Sequence, residues 1–330
     1  MADVDVDVLV VGAGPSGLYG AYYAGFRGLS TAIVDALPEP GGQVTALYPE
    51  KMIFDIAGFP AVRGKDLVEN LVEQAAPFHP HYLLGQQAVA YARTEGGVVI
   101  TTASGTRIAA KAVIVTGGIG TFNPRPLPGG AHWEGRGLEY IVPTYLPYVG
   151  KDVVVVGGGD SAVDWALGLE GVARSVTLVH RREEFRAYAH SVKLLKDSAI
   201  AVVTPMQPVS INGDEVLESI TVRDVKTKQT CDLPCNAIVA ALGFTADISP
   251  LEAWGLDVHE RHIVVNTKMA TNLPRVFAAG DITEYPGKVR LISVGFGEAA
   301  TAVNNAATVI DPEATVFPGH STEQVEGPAA

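Results

Sequence analysis

Residues 6–35 read VDVLVVGAGPSGLYGAYYAGFRGLSTAIVD. A short apolar run, Val8-Leu9-Val10-Val11, meets the turn Gly12-Ala13-Gly14-Pro15-Ser16-Gly17. A helical pattern follows, and a second apolar run ends at Asp35. The order is strand, glycine turn, helix, strand, with an acid closing the second strand. The three glycines serve different ends. Gly12 makes the tight turn, Gly14 lets the backbone approach a pyrophosphate, and Gly17 lets the helix pack on the strand. The pyrophosphate then sits on a helix N-terminus, where free N–H groups and the dipole favour negative charge. Asp35 suits the hydroxyls of an adenosine ribose. The stretch predicts a dinucleotide site; a glycine turn kept only for packing is the alternative.

The same unit recurs. Residues 152–156 read as a strand, Gly157-Gly158-Gly159-Asp160-Ser161-Ala162 as its turn, 161–171 as a helix and 175–179 as the next strand. From first glycine to post-strand residue the spacing is 35 − 12 = 23 in one unit and 180 − 157 = 23 in the other. This is an internal repeat of a whole fold unit. The copies differ where the ribose is read. The second has His180, followed by Arg181, Arg182 and Arg186. An acid suits a free 2′-hydroxyl, whereas arginines suit a 2′-phosphate through charge and forked hydrogen bonds. The second site is therefore expected to take NADP. The competing reading is a solvated helix start, HRREEF, with Glu183 and Glu184 as the arginines' partners.

The remaining segments fit around these units. Residues 38–60 form a long loop by composition, carrying Gln43, whose amide both donates and accepts. Residues 65–78 predict an amphipathic helix with Leu67, Leu71 and Ala75 on one face. Strands are expected at 86–93, 97–102, 106–109 and 111–116, the last closed by Gly117-Gly118. The second unit carries a matching meander at 200–204, 207–212, 215–224 and 229–233, then a buried strand at 236–242. A strand at 276–281 ends in Gly280-Asp281, where an aspartate suits the ribityl or phosphate part of a flavin, and 291–310 reads as a long helix. Residues 311–330 read as a frayed tail.

Composition bounds the partners. With 24 Lys and Arg against 36 Asp and Glu the net charge is −12, which argues against nucleic acid or an anionic membrane as main partner. No apolar run approaches the roughly 18–20 residues that span a bilayer. The N-terminus, MADVDVDVLVV, has acids where a signal peptide carries positive charge, so a soluble cytoplasmic protein is expected. Two cysteines, Cys231 and Cys235, make no disulfide framework. The eight histidines show no HxxxH or HExxH spacing, so no metal site is expected.

Taken together, GAGPSG at 12–17, GGQ at 41–43, GGGDSA at 157–162, HRREEFRA at 180–187 and AAGD at 278–281 resemble the two-dinucleotide-binding-domain flavoproteins, the thioredoxin reductase group in particular. The resemblance implies an α/β fold of two Rossmann-like dinucleotide-binding domains, each a three-layer ββα arrangement. It implies an NADP domain (119–245) inserted in an FAD domain (1–118 and 246–330), with FAD, NADPH and a homodimer. That group carries a CxxC just before the second glycine motif, whereas residues 137–145 here read GLEYIVPTY. Without a dithiol, electrons have no route to a protein disulfide. The chain looks like the branch lacking it, the thioredoxin-reductase-like ferredoxin–NADP reductases, with GGGDSAVDWAL at 157–167, AVNNA at 302–306 and HST at 320–322. In that branch an aromatic and a tail histidine stack on the two flavin faces. The matching residues are Tyr48 and His320, while Phe122, Ala88 and Ser321 match flavin-contacting positions.

The implied activity is hydride transfer from NADPH to FAD followed by single-electron transfer to ferredoxin or flavodoxin, with hinges near 117–120 and 243–247. An acidic ferredoxin requires a local basic face, for which Lys51, Arg63, Lys65 and Arg290 are candidates. Two alternatives stay open. One is an NADPH-dependent flavin reductase or oxidase acting on quinones or other small acceptors. The other is a non-catalytic NADPH-sensing flavoprotein.

Overall fold

The computed structural model describes residues 2–118 and 120–320. The chain divides into two compact units. The first takes the chain up to Ala46, then Met52–Phe122 and everything from Ala246. The second takes Leu47–Lys51 and Asn123–Thr245. The two crossings, strands Thr121–Pro124 and Phe244–Asp247, pair with each other.

The first unit is built on a seven-stranded sheet ordered His81–Leu84, Thr31–Asp35, Val4–Val11, Arg107–Val115, Val98–Thr102, Ala88–Arg93, with Val276–Ala278 also pairing Arg107–Val115. The strands Val4–Val11, Thr31–Asp35, His81–Leu84, Val276–Ala278 and Arg107–Val115 run parallel. Their register brings Val11, Val34 and Val115 level, so the chain leaves these strands along one edge. Strand order reverses between Val4–Val11 and Arg107–Val115, where a crevice opens at the carboxyl ends. Leu9, Val10, Ile33, Val113 and Ile114 are fully buried, because a parallel sheet is covered on both faces and its strands are apolar throughout. Helices Pro15–Phe26 and Ile292–Ile310 pack closely through small residues. A Cβ on Gly20 would stand 3.8 Å from that of Ala299.

The second unit has a five-stranded parallel sheet ordered Leu138–Glu139, Ala237–Ala241, Asp152–Gly157, Ser175–Val179, Ala201–Val203. The alternation along Asp152–Gly157 makes its layers. Val153 and Val155 join a core with Trp165 and Leu169 of helix Asp160–Glu170. Val154 and Val156 join the opposite core, with Ile211, Ile220 and Val222 of a separate antiparallel sheet. Helix, sheet and meander thus form three layers.

The structure revises several boundaries. The strands expected at 106–109 and 111–116 are one strand, Arg107–Val115, antiparallel to Val98–Thr102 and parallel to Val4–Val11. Residues 201–203 are not part of the second meander; they extend the parallel sheet, with Thr177 opposite Ala201. The 38–60 loop contains the short helix Gln43–Leu47 and a hairpin of Met52–Ile53 with Val62–Arg63. Among the described residues no helix is long and apolar enough to cross a membrane.

Candidate functional site

At the switch point of the first unit the glycine turn is sterically required. Gly12 has φ +117°, and a Cβ on it would lie 2.6 Å from the Thr116 carbonyl oxygen. A Cβ on Gly17 would lie 1.9 Å from the Gly12 carbonyl oxygen. Gly14 differs: no atom stands within 4 Å of its would-be Cβ, so the open room lies on the ligand side. Gly14 is the extended N-cap of helix Pro15–Phe26, and no side chain caps that end. The first-turn N–H groups of Ser16 and Gly17 therefore lack the capping partner a helix usually finds.

Acids and an amide surround this turn. Asp35 Oδ2 accepts the Ala13 N–H at 2.6 Å and Oδ1 accepts the Leu37 N–H at 2.8 Å. Each oxygen keeps a further lone pair, enough for two ribose hydroxyls. Burial pushes the Asp35 carboxyl above its ordinary value, and the two backbone bonds oppose the rise. The Gly41 N–H donates to the Ala13 carbonyl at 2.8 Å, folding 41–43 onto the turn. Gln43 Nε2 lies 2.7 Å from where a Gly118 Cβ would be, so its amide faces the exit of strand Arg107–Val115.

Asp281 follows Gly280, whose φ is +82° and whose would-be Cβ lies 2.8 Å from Ser16 Oγ. The Asp281 carboxylate is half-buried and makes no hydrogen bond among the described residues. Burial raises its pKa, Lys288 and Arg290 draw it down, and Glu298 raises it again. Gly12, Gly14, Ser16, Gly17, Asp35, Gln43 and Asp281 thus converge on one crevice. Ala88 is buried in the sheet two residues beyond Gln86, whose N–H donates to the Asp35 carbonyl at 2.8 Å.

Tyr48, Phe122, His320 and Ser321 are the other expected flavin contacts. Tyr48 falls in Leu47–Lys51, which groups with the second unit. Phe122 lies on strand Thr121–Pro124, but its side chain is outside the described part. His320 ends the described chain with its ring edge-on to Phe317, centroids 5.1 Å apart, and Ser321 lies outside the described residues. Sequence reasoning missed Thr116, whose buried hydroxyl donates to the Gly12 carbonyl at 2.8 Å, and the pair Lys288–Glu298 behind Gly280. Thr116 interrupts an apolar strand end, which was its only signal.

The second turn is built alike but dressed with cations. A Cβ on Gly157 would lie 2.5 Å from the Ala241 carbonyl oxygen, while Ala162, at the third motif position, is fully buried. Gly159 is the extended, uncapped N-cap of helix Asp160–Glu170, and Ser161 is exposed in its first turn. Residues after His180 fold back onto the turn. The Arg186 N–H donates to the Gly158 carbonyl at 2.7 Å, and Asp160 Oδ1 accepts the Tyr188 N–H at 2.9 Å. The His180 ring sits where a Gly158 Cβ would be, 2.1 Å from that point, and stacks on Phe185 at 5.3 Å. Burial lowers the pKa of His180, and the neighbouring arginines lower it further.

Arg181, Arg182 and Arg186 are exposed, and among the described residues their guanidinium groups make no hydrogen bond or ion pair. Helix Ala189–Asp197 begins only after them, and Glu183 pairs instead with Lys226 at 2.6 Å. The reading of HRREEF as a helix start with internal partners is not what the structure has. Exposed arginines that follow a strand end and a helix that starts uncapped are the chemistry that suits an anion.

Elsewhere, Cys231 is exposed on strand Thr230–Pro234, and Cys235 is buried with its thiol pushed up to about 12. Neither stands at a helix N-terminus. Of the candidate basic face, Lys51 pairs with Asp164 at 2.6 Å, Arg63 with Asp66 at 3.4 Å and Arg290 with Glu284 at 2.6 Å.

Comparison with known proteins agrees with this architecture. The family model described as pyridine nucleotide-disulphide oxidoreductase matches residues 6–306. The ferredoxin–NADP reductase of Nocardioides sp. is 61% identical over 324 residues, covering 97% of this chain and 98% of that one. That of Thermus thermophilus is 48% identical over 330 residues, covering 98% of each. Among solved structures, T. acidophilum thioredoxin reductase matches with TM-score 0.79 at 27% identity, covering 93% of this chain and 99% of that one. The chain belongs to the pyridine nucleotide-disulphide oxidoreductase family, and within it to the ferredoxin–NADP reductases.

Proposed function

We infer that this chain is an FAD flavoenzyme moving electrons between NADPH and ferredoxin. One observation carries the reading: an acid-ended nucleotide unit and an arginine-ended one share a chain whose near-full-length relatives are ferredoxin–NADP reductases. FAD, when bound, supplies the conversion between hydride and single-electron transfer. The protein's work is to bind and orient.

In the first unit, Gly12, Gly14, Ser16 and Gly17 cradle the FAD pyrophosphate at the helix N-terminus, and Asp35 accepts from the ribose hydroxyls. Gln43 offers its amide, and Asp281 offers a half-buried carboxylate that has no hydrogen-bond partner among the described residues. In the second unit, Gly157, Gly159, Asp160, Ser161 and Ala162 form the turn that takes the NADPH pyrophosphate. Arg181, Arg182 and Arg186 clasp the 2′-phosphate, with His180 holding their loop against Gly158. Tyr48 and His320 stack on the flavin ring, and Phe122, Ala88 and Ser321 line it.

Flavodoxin is a second acceptor of the same chemistry. We assign a homodimer, supported by the half-exposed aromatic cluster of Tyr19, Tyr22, Tyr23 and Phe26 on helix Pro15–Phe26, continued by Phe78 and Phe296. We assign the cytoplasm, supported by two free cysteines.

An acceptor panel with NADPH tests the reading. Ferredoxin or flavodoxin should be reduced and a thioredoxin-type disulfide should not. A Cys231→Ser, Cys235→Ser double variant should keep ferredoxin reduction, because neither thiol stands at a helix N-terminus and Cys235 is buried. Disulfide reduction that vanishes in the double variant would overturn the reading.

A further inference from the structure

A buried ion pair of the first unit lies not in the crevice but behind it. Glu298, on helix Ile292–Ile310, is 5% exposed, and the Lys288 side chain is 1% exposed. Their ion pair is doubly bonded, with Lys288 Nζ at 2.5 and 2.7 Å from the two carboxylate oxygens. The Tyr285 hydroxyl donates to Glu298 Oε1 at 2.5 Å, and burial with that carboxylate pushes its pKa up to about 12. A buried pair of this kind rarely repays its desolvation in stability alone, so the question is what it holds.

It holds one residue, Gly280, through the peptide groups on both sides of its Cα. The Gly280 N–H donates to Glu298 Oε2 at 2.8 Å. The Gly280 carbonyl accepts from Lys288 Nζ at 3.0 Å and from Thr283 Oγ1 at 2.8 Å. Gly280 has a left-handed φ of +82°, a conformation that otherwise samples alternatives freely. Fixing its N–H and its carbonyl fixes the direction in which the next residue, Asp281, leaves the strand. Asp281 is the half-buried carboxylate with no hydrogen bond among the described residues.

We propose that Lys288 and Glu298 are positioning residues for FAD: the buried pair locks the Gly280–Asp281 turn and so aims Asp281 at the flavin nucleotide. The inference rests on the reading of the first unit as the FAD site. The pair touches no cofactor atom itself; it acts through Asp281. If it served only to staple the loop to helix Ile292–Ile310, its loss would lower stability without a specific link to Asp281.

The test is FAD affinity in the full-length chain, read from the flavin fluorescence that changes on release, with NADP+ binding as the control for folding. Asp281→Asn should weaken FAD by about tenfold or more, the scale of one charge-assisted hydrogen bond. Lys288→Met should weaken it similarly, and the Asp281→Asn, Lys288→Met double variant no more than the worse single one. Thr283→Val removes one bond to the Gly280 carbonyl and a long one of 3.4 Å to Glu298 Oε2, leaves the ion pair in place and keeps side-chain shape, so it should give a smaller loss in the same direction. Glu298→Gln, which keeps an acceptor for the Gly280 N–H, should bind FAD more tightly than Glu298→Leu. Losses that multiply in the double variant, or wild-type FAD affinity in both Lys288→Met and Thr283→Val, would overturn this inference alone. A wild-type chain that takes up no FAD would overturn the proposed function and the inference together.

Discussion

The two nucleotide units share a turn and differ in how they meet charge. Both begin a helix at an uncapped, extended glycine, Gly14 in one and Gly159 in the other. Both fold a later segment back on the turn, through Gly41 to Ala13 and Arg186 to Gly158. Beyond that they part. The first keeps acids inside, Asp35 and Asp281, each with its pKa raised by burial. The second keeps cations outside, Arg181, Arg182 and Arg186, with no carboxylate holding them among the described residues. The turn therefore supplies a generic pyrophosphate seat, whereas the residues at neighbouring strand ends choose the nucleotide. Acids built into the core tie ligand binding to folding; exposed arginines leave it a surface property.

The largest effect should come from copying one turn into the other. Gly17→Ala places a methyl 1.9 Å from the Gly12 carbonyl, a backbone atom that cannot step aside. The cost should exceed about 3 kcal/mol, a large share of a domain's stability. The variant should carry little or no flavin while still binding NADP+. The reverse change, Ala162→Gly, should cost only about 1 kcal/mol through helix propensity. Flavin content per chain and NADP+ affinity check both. Normal FAD loading by Gly17→Ala would mean the turns are interchangeable.

Next in size is the cation reading. With Arg181 and Arg182 both changed to Ala, the preference for NADPH over NADH should fall by roughly 10²–10⁴-fold in kcat/KM, at roughly 1.5–3 kcal/mol for each charged hydrogen bond. Because both side chains are exposed and unpaired among the described residues, the melting temperature should not move. Equal losses with both nucleotides, or a clear loss of stability, would erase the contrast between inside acids and outside cations.

The glycine turns were legible because each glycine answers a local steric demand, visible without knowing what packs nearby. Asp35 and the arginines were legible because their spacing from the turn is set by one helix and one strand. What sequence could not give was decided at a distance. Residues 201–203 look like any short apolar strand, and only pairing with Ser175–Val179 puts them in the parallel sheet. The meanders look alike, yet Arg107–Val115 runs unbroken while Thr230–Pro234 stops. At that stop Cys235 still bonds Glu218, and Asn236 already bonds Asp152. Pro234 has no N–H to continue a ladder, which separates the second meander as its own sheet. Lys288 and Glu298 read as ordinary surface charges because they are ten positions apart, and only the fold buries them together.

The smallest effect separates function from stability at one residue. Burial raises the folded-state pKa of Asp281 above its ordinary value. Between the ordinary and the raised value, the folded flavin-free chain binds more protons than the unfolded chain. Its stability must therefore increase as pH falls through that window. Above the window, the ionised carboxylate, half-buried and without a hydrogen bond among the described residues, is a standing cost. Asp281→Asn removes that cost, so the flavin-free variant should melt slightly higher than the wild type near neutral pH. The advantage should vanish once the pH drops below the ordinary carboxylate range. With FAD bound the order should reverse at neutral pH, since the wild-type carboxylate then has the partner its position provides. Arg181→Ala should show neither behaviour, as its guanidinium is already solvated. Melting curves across pH, with and without FAD, decide between the two roles. A flavin-free Asp281→Asn chain that is less stable than wild type at every pH would show that the acid serves the fold and not the ligand.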